Sequence, residues 1–192
     1  MSEQPSAAVG QVSADGQFRW DGTQWAPIPR GAREPTSWTR PMQLAVGGYF
    51  VVSAFFSLVT SAIYINHDSM LRVIRAQGTQ IPQGTDMDTV VNISIFFAIA
   101  IVIVIAALEL VAALGSYLGW RWMFWVVLVL LGLDAIGAVS NLGYFARPDT
   151  SPVPTWAVGV SEVFAVAGLG LFVWLLTAAI KFGPWAMKKP SA

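Results

Sequence analysis

Four long apolar segments constrain what this sequence can fold into more than any other feature. They are Gln43–Ile65, Thr89–Ser116, Trp122–Gly143 and Trp156–Ile180. Each has about the 20 residues that a helix needs to cross a ~30 Å hydrocarbon layer at ~1.5 Å per residue. Their interiors are apolar on every side, whereas a water-soluble bundle has charged outer faces. The pattern predicts an all-α membrane protein, with a four-transmembrane-helix bundle over residues 43–181.

The composition agrees with this fold class and excludes several kinds of site. Charged residues make up 11% of the chain, against roughly 25% in an average soluble domain. Eleven Lys and Arg balance eleven Asp and Glu, which argues against a nucleic-acid partner. There is no cysteine and one histidine, His67, so disulfides, thiol chemistry and multi-histidine metal sites are excluded. Nucleophile elbows, phosphate-binding loops and dinucleotide fingerprints are lacking too, so we expect no enzymatic activity, metal or cofactor.

The distribution of Lys and Arg predicts the orientation of the spans. With the N-terminus inside, eight basic residues lie on the inner side and three on the outer side. An even number of spans also puts both termini on one side. We therefore predict a multi-pass plasma-membrane protein with cytoplasmic termini, whose first span is an uncleaved signal anchor. The inner set is Arg19, Arg30, Arg33, Arg40, Arg121, Lys181, Lys188 and Lys189, and the outer set is Arg72, Arg75 and Arg147.

Aromatic residues collect near the predicted membrane boundaries. Belts of Trp and Tyr are common at both membrane interfaces. We interpret these residues as interface anchors, and a cofactor or quinone site is the alternative. The group consists of Trp38, Trp120, Trp122, Trp125, Tyr144, Trp156 and Trp185.

The polar N-terminal region contains a predicted β-hairpin or three-stranded meander at residues 12–27. Two Asp-Gly pairs, at 15–16 and 21–22, have the composition of tight hairpin turns. Phe18 and Trp20 fall on one face of the middle strand, and Trp25 is placed to pack there. The remaining segments are predicted to be a disordered tail (1–11), a Pro/Arg linker (28–42) and a cytoplasmic basic tail (182–192).

The string WDGTQW at residues 20–25, with Pro27 just after it, resembles a short domain of unknown function found mainly in actinobacterial membrane proteins. Those domains carry Trp-Asp-Gly, two residues, then Trp. The resemblance covers the second half of that domain, and it implies an actinobacterial cytoplasmic membrane protein without implying an activity. The hairpin is then either a stabilising element or a docking module whose surface is Phe18, Trp20 and Trp25, since Trp is favoured in interaction hot spots.

Between the first two spans, residues 67–77 predict an amphipathic helix that lies along the outer interface. Met70, Leu71, Val73 and Ile74 share one side of it. We expect Asp68 or Ser69 to cap this helix and His67 to be a loop residue rather than a ligand.

Small polar residues form a stripe on the first span. Ser53, Ser57 and Ser61 follow i, i+4, i+8 spacing, with Tyr49 one turn earlier. Such stripes allow helices to approach closely and to hydrogen-bond across the contact. We interpret the stripe as a packing face, and a polar transport path is the alternative.

Three carboxyl groups, those of Glu109, Asp134 and Glu162, fall inside predicted spans without a basic residue at similar depth. Each costs ~2.5–3.5 kcal/mol or more if charged at mid-bilayer, so we expect them to face the bundle interior or to be protonated. Counting from the span ends puts Asp134 and Glu162 at similar depth, with Asn141 on the same side as Asp134, and Glu109 toward the opposite surface. A proton shared by Asp134 and Glu162 is one hypothesis, and hydrogen-bonded structural groups are the other.

Two functions follow from these features. The first is a non-catalytic scaffold or accessory subunit that binds other membrane or envelope proteins. The second is a small proton- or cation-coupled transporter or channel that uses the intramembrane carboxyl groups. Besides the lipid bilayer, the expected partner is another membrane protein or a second copy of this chain.

Overall fold

The computed structural model describes residues 8–15, 17–27, 33–78, 84 and 86–188. Four of its helices are long and apolar enough to cross a membrane, which confirms the predicted number of long apolar helices and their approximate positions. These four are α1 (Thr39–Tyr64), α3 (Met87–Tyr117), α4 (Arg121–Ala146) and α5 (Thr155–Lys181), and the short helix α2 (His67–Ala76) follows α1.

The long helices form two closely packed antiparallel pairs, α1 with α3 and α4 with α5. In the first pair, a Cβ on Gly47 would lie 3.4 Å from the Ala113 carbonyl oxygen. In the second pair, a Cβ on Gly132 would lie 3.4 Å from the Phe172 ring. Absent or small side chains allow this close approach of neighbouring helices. The shared core between the pairs is built from Met42, Val46, Phe50, Met123, Phe124, Val127, Leu131, Leu175 and Trp185.

Helix α1 begins four residues before the predicted span. Pro41 is its third residue, in the first turn, where a backbone N–H has no intrahelical acceptor and its loss costs little. The Thr39 hydroxyl accepts a hydrogen bond from the Thr36 N–H (2.9 Å) and donates one to the Ala186 carbonyl (3.1 Å). The start of α1 is thereby tied to the C-terminal part of the chain.

Helix α2 confirms the predicted amphipathic helix, with one difference at its cap. Met70 and Ile74 are buried against Val91 of α3. The cap is Asn66, whose side chain accepts the Ser69 N–H (3.0 Å) while the Ser69 hydroxyl accepts the Asn66 N–H (3.0 Å). The expected cap at Asp68 or Ser69 is therefore wrong by two or three residues, since Ser69 is the reciprocal member of a capping box. The expectation that His67 is a loop residue is also wrong, because His67 is the first residue of α2 and its Nε2 lies 3.2 Å from Asp88 Oδ1.

The N-terminal region forms the predicted β-hairpin. Strands β1 (Phe18–Trp20) and β2 (Trp25–Pro27) pair antiparallel, with Trp20 opposite Trp25 and their ring centroids 5.6 Å apart. An isolated antiparallel bridge joins Val12 to Arg19, so the sheet itself has two strands. The turn between β1 and β2 is held by the Asp21 carboxylate, which accepts the N–H groups of Thr23 (2.7 Å) and Gln24 (2.8 Å).

Two segments far apart in the sequence, one before α1 and one after α5, pair at one end of the bundle. Strand β3 (Glu34–Pro35) lies in the predicted linker and pairs antiparallel with β4 (Met187–Lys188) in the predicted tail. A salt bridge from Arg19 to Glu34 connects the hairpin to β3. We call this end, where α1 begins and α5 ends, the termini end of the bundle. Both linker and tail are therefore part of the folded structure where they pair.

Trp185, expected to be an interface anchor, is fully buried instead. A one-turn helix, Pro184–Ala186, folds back under the bundle after α5. The Trp185 ring packs edge-on against Phe124 (centroids 5.3 Å apart), and its indole N–H donates to the Trp120 carbonyl (2.8 Å). Gly183, at φ +96°, makes the reversal that brings Trp185 inward.

Candidate functional site

A hydrogen bond joins two long helices at the side of the bundle, where Tyr49 is half-buried and Asp134 is exposed, so the expectation that Asp134 faces the bundle interior is wrong. The Tyr49 hydroxyl on α1 donates to the Asp134 carboxyl on α4, with an oxygen–oxygen distance of 2.6 Å. Asp134 lies twelve residues before the end of α4 at Ala146, or about 18 Å along the helix. It therefore sits close to the middle of α4, far from either end.

Glycine at position 168 of α5 makes room for this hydrogen bond. A Cβ there would lie 2.7 Å from the Tyr49 hydroxyl oxygen and 3.1 Å from an Asp134 carboxyl oxygen. Gly168 itself is buried. Three helices thus meet at this point, and any larger residue on α5 would push the tyrosine and the carboxyl group apart.

A second carboxyl group, that of Glu109 on α3, is held by the first pair of helices. The Ser53 hydroxyl on α1 donates to its Oε1 (2.8 Å). Its Oε2 is buried and has no hydrogen-bond partner among the described residues. A buried polar atom without a partner is uncommon in folded proteins and calls for an explanation such as a bound ion, a proton or water.

Glu109 and Asp134 line one cavity of about 290 Å³ between α1, α3 and α4. Its remaining walls are apolar apart from Tyr49, and the lining includes no basic residue. We call it the carboxyl cavity. Its lining consists of Tyr49, Phe50, Ile105, Leu108, Glu109, Leu130, Leu133 and Asp134.

The acidic residues that lie together in the structure are not the pair predicted by counting residues from the span ends. Asp134 and Glu162, the expected pair, are not hydrogen-bonded: Asp134 accepts from Tyr49, and Glu162 Oε1 is buried without a partner among the described residues. Helix α4 continues three residues beyond the predicted Gly143, which places Asp134 about 18 Å from its end, whereas Glu162 lies about 10 Å from the start of α5. Glu109, expected on its own, shares the cavity with Asp134 instead.

Asn141 is not part of the carboxyl cavity. It lies seven residues after Asp134 on α4 and is half-buried. Two of the four predicted acidic and amide residues are thus brought together, and Asn141 and Glu162 are outside the lining.

The serine stripe is divided between two roles. Ser53 bonds across the helix contact to Glu109, as a packing face predicts. Ser57 instead donates to the Ala54 carbonyl of its own helix (3.1 Å), and Ser61 is buried. On α3, Ala106, Ala113 and Ser116 are also buried. Close packing of α1 on α3 therefore depends on small residues on both helices.

The hairpin presents a partly exposed aromatic surface. Trp20 is half-buried, whereas Phe18 and Trp25 are 38% and 40% exposed. Phe18 and Trp25 are thus partly exposed, and their role as a docking surface stays a prediction.

Sequence reasoning missed two members of the site. Tyr49 stands one turn before the serine stripe, and that placement was the available signal that its hydroxyl faces other polar groups. Gly168 carries no chemical signal, because its contribution is the space it leaves. Comparison with models of protein families, with curated proteins and with solved structures finds no match to this chain.

Proposed function

We propose that this protein is a small proton- or cation-coupled transporter or channel whose ion-binding site is the carboxyl cavity. The observation that carries the proposal is the presence of two carboxyl groups, Glu109 and Asp134, on one cavity between three of the four helices that are long and apolar enough to cross a membrane. An ionisable residue at membrane depth is a functional-site hypothesis by default.

The chemistry of the cavity suits a proton or a cation. A charged carboxylate at this depth is costly without a basic partner, and the lining supplies none. A proton on the carboxyl group removes the charge, and a cation compensates it. Glu109 Oε2 is the free position for either, because its other oxygen is occupied by Ser53.

The hydroxyl groups of Tyr49 and Ser53 orient the two carboxyl groups, and they do not occupy the position of a bound ion. Both hydroxyl groups donate from α1, one to each carboxyl group. Each donation occupies one carboxyl oxygen and leaves the other to exchange a proton or contact a cation. A movement of α1 would therefore change both carboxyl environments together.

We place the protein in the plasma membrane with both termini in the cytoplasm. The pairing of β3 with β4 supports an even number of crossings, because it requires both termini at the same end of the bundle. The excess of Lys and Arg on that side supports its assignment as cytoplasmic. The actinobacterial origin implied by the WDGTQW string is part of the same proposal.

The test is ion flux into liposomes that contain the purified full chain. A pH-sensitive dye inside the vesicles reports proton movement under imposed proton, sodium or potassium gradients. We expect flux above that of empty vesicles, lost in Asp134→Asn and Glu109→Gln. Glu162→Gln is the matched control, because Glu162 lies outside the cavity. Flux equal to that of empty vesicles, or unchanged in both cavity variants, would contradict the proposal.

A second function, partner docking through the hairpin, is favoured by the exposure of Phe18 and Trp25. Exposed aromatic residues on a small sheet are typical of interaction surfaces. The test is cross-linked capture from native membranes with the wild type and Trp25→Ser. A stoichiometric partner that is lost in the variant supports docking, and a partner retained equally by both assigns the contact to another surface.

A further inference from the structure

We propose that a groove between α1 and α3 binds an anionic phospholipid. The groove has a volume of about 510 Å³, which lies in the range of small-molecule binding sites. This inference rests on the placement of the helices in a membrane and is independent of ion binding in the carboxyl cavity. The groove is lined by Gln43, Leu44, Gly47, Gly48, Val51, Val52, Leu110, Ala113, Leu114 and Tyr117.

Two adjacent glycines form the floor of the groove on α1. Gly47 lies against the α3 backbone, since a Cβ on it would be 3.4 Å from the Ala113 carbonyl oxygen. A Cβ on Gly48 would meet no atom within 4 Å, so its position faces the open groove. The walls are the apolar side chains of Leu44, Val51 and Val52, all exposed.

The length of the groove fits one acyl chain. From Gln43 to Val52 the groove extends about 13 Å along α1. That is close to the depth of one leaflet, about half of the ~30 Å hydrocarbon layer.

A positive charge stands at the termini end of the groove. Arg40 lies four residues before Leu44 on the same face of α1 and is exposed. Its guanidinium lies 4.4 Å from the centre of the Tyr117 ring and donates to the Tyr117 carbonyl (3.1 Å). These contacts fix Arg40 beside a groove-lining residue, and no carboxylate lies within ion-pair distance of it in the described part of the chain. The free donors of Arg40 suit a phosphate headgroup.

Native mass spectrometry of the full chain tests this site. Phosphatidylglycerol and phosphatidylcholine with identical acyl chains are added to the protein in detergent. We expect preferential retention of phosphatidylglycerol, reduced about fivefold in Arg40→Gln. Gly48→Leu should fill the groove and reduce the retention of both lipids.

Two matched control variants show whether the loss of lipid is specific to the groove or follows from any lost charge or added side chain. Arg121→Gln removes an exposed charge at the start of α4, and Gly170→Leu adds a side chain at an exposed glycine of α5 that also has nothing within 4 Å of its Cβ position. Both should retain lipid like the wild type. Equal retention by wild type and Gly48→Leu, or no preference for the anionic lipid, would overturn the proposal. A change from dimer to monomer in Gly48→Leu without lipid loss would assign the groove to a second copy of the chain and also overturn it.

Discussion

Tyr49 and Asp134 meet across two helices because α5 has no side chain where their oxygen atoms lie. The hydroxyl and the carboxyl oxygen are 2.6 Å apart, and the nearest residue of α5 is Gly168. A polar contact between α1 and α4 thus depends on a residue of α5 whose side chain has no atoms beyond hydrogen. Two substitutions distinguish the two contributions: one at Tyr49 removes the hydrogen bond, and one at Gly168 fills the space that the hydrogen bond needs.

Tyr49→Phe should lower the free energy of unfolding by about 1 kcal/mol. The ring is retained and the hydroxyl donor to Asp134 is lost, which leaves the carboxyl group without this partner. Thermal unfolding in detergent measures the effect. Tyr144→Phe is the control, because Tyr144 is exposed and its hydroxyl has no hydrogen-bond partner in the described structure. Equal stability of the two variants would show that the Tyr49 hydrogen bond contributes nothing.

Gly168→Ala should lower the free energy of unfolding by about 1–3 kcal/mol, since the added methyl group would lie 2.7 Å from the Tyr49 oxygen. Gly170→Ala should be neutral or slightly stabilising, because its Cβ position is open and alanine is the better helix former. Both are measured by thermal unfolding in the same detergent. A Gly168→Ala variant as stable as Gly170→Ala would mean that the helices are further apart than described.

Asp21 should make the hairpin sensitive to acid. Hydrogen bonds from the N–H groups of Gln24 and Thr23 and from the Thr23 hydroxyl lower the pKa of Asp21. A lowered pKa in the folded state means that this stabilisation is complete above the unfolded pKa and is lost as pH falls through the folded pKa. The indole NMR signals of Trp20 and Trp25 in the full chain should therefore lose their folded shifts at acid pH.

Asp21→Asn is the control for this acid effect. The variant should show a smaller pH dependence, with the remainder from Asp15, whose pKa is also lowered by hydrogen bonds from Ser13 and Gln17. An identical acid transition in wild type and variant would assign the sensitivity to other groups.

At the scale of elements, the C-terminal one-turn helix closes the termini end of the bundle. Trp185 fills the space beneath Phe124 and Trp120, and β4 beyond it pairs with β3. Trp185 and Ala186 both have positive φ, at 57° and 53°, which is strained for residues with side chains. The burial of the indole offsets this backbone strain.

Trp185→Ala should lower the free energy of unfolding by about 3–5 kcal/mol, because a fully buried indole and its hydrogen bond are lost. Trp122→Ala, which truncates a largely exposed indole, should cost much less. Thermal unfolding and limited proteolysis of the C-terminal segment measure both. Similar losses for the two variants would show that Trp185 does not anchor the segment.

The four long helices are predictable from the sequence, because each apolar run has the length and the polarity that a membrane helix requires. The carboxyl cavity was predicted less well. A count along each helix gives an approximate depth, but it gives neither the rotation of one helix against another nor the true end of α4. The count therefore pairs Asp134 with Glu162, whereas in the structure Asp134 accepts a hydrogen bond from Tyr49. Trp185 was assigned to the interface because tryptophan is common there, and only the chain reversal at Gly183 brings it inside.

At the scale of the whole molecule, β3 before the first long helix and β4 after the last one lie together at the termini end of the bundle. This arrangement predicts a topology that does not depend on the function. A reporter active only outside the cytoplasm, fused to either terminus, should be silent, and the same reporter inserted after Gly84, between α2 and α3, should be active. Activity at either terminus would contradict the assignment of that end to the cytoplasm.

Infrared spectroscopy of the carboxyl groups tests the central claim most directly, because it detects the proton on the cavity residues without a need for flux. In the Glu162→Gln background we predict a protonated-carboxyl band at neutral pH that shifts in deuterium oxide. The band should weaken in Glu109→Gln, and it should change when the pH is raised or a cation is added. A band that is absent at neutral pH without added cation, or is the same in all variants and conditions, would contradict proton or cation binding in the carboxyl cavity.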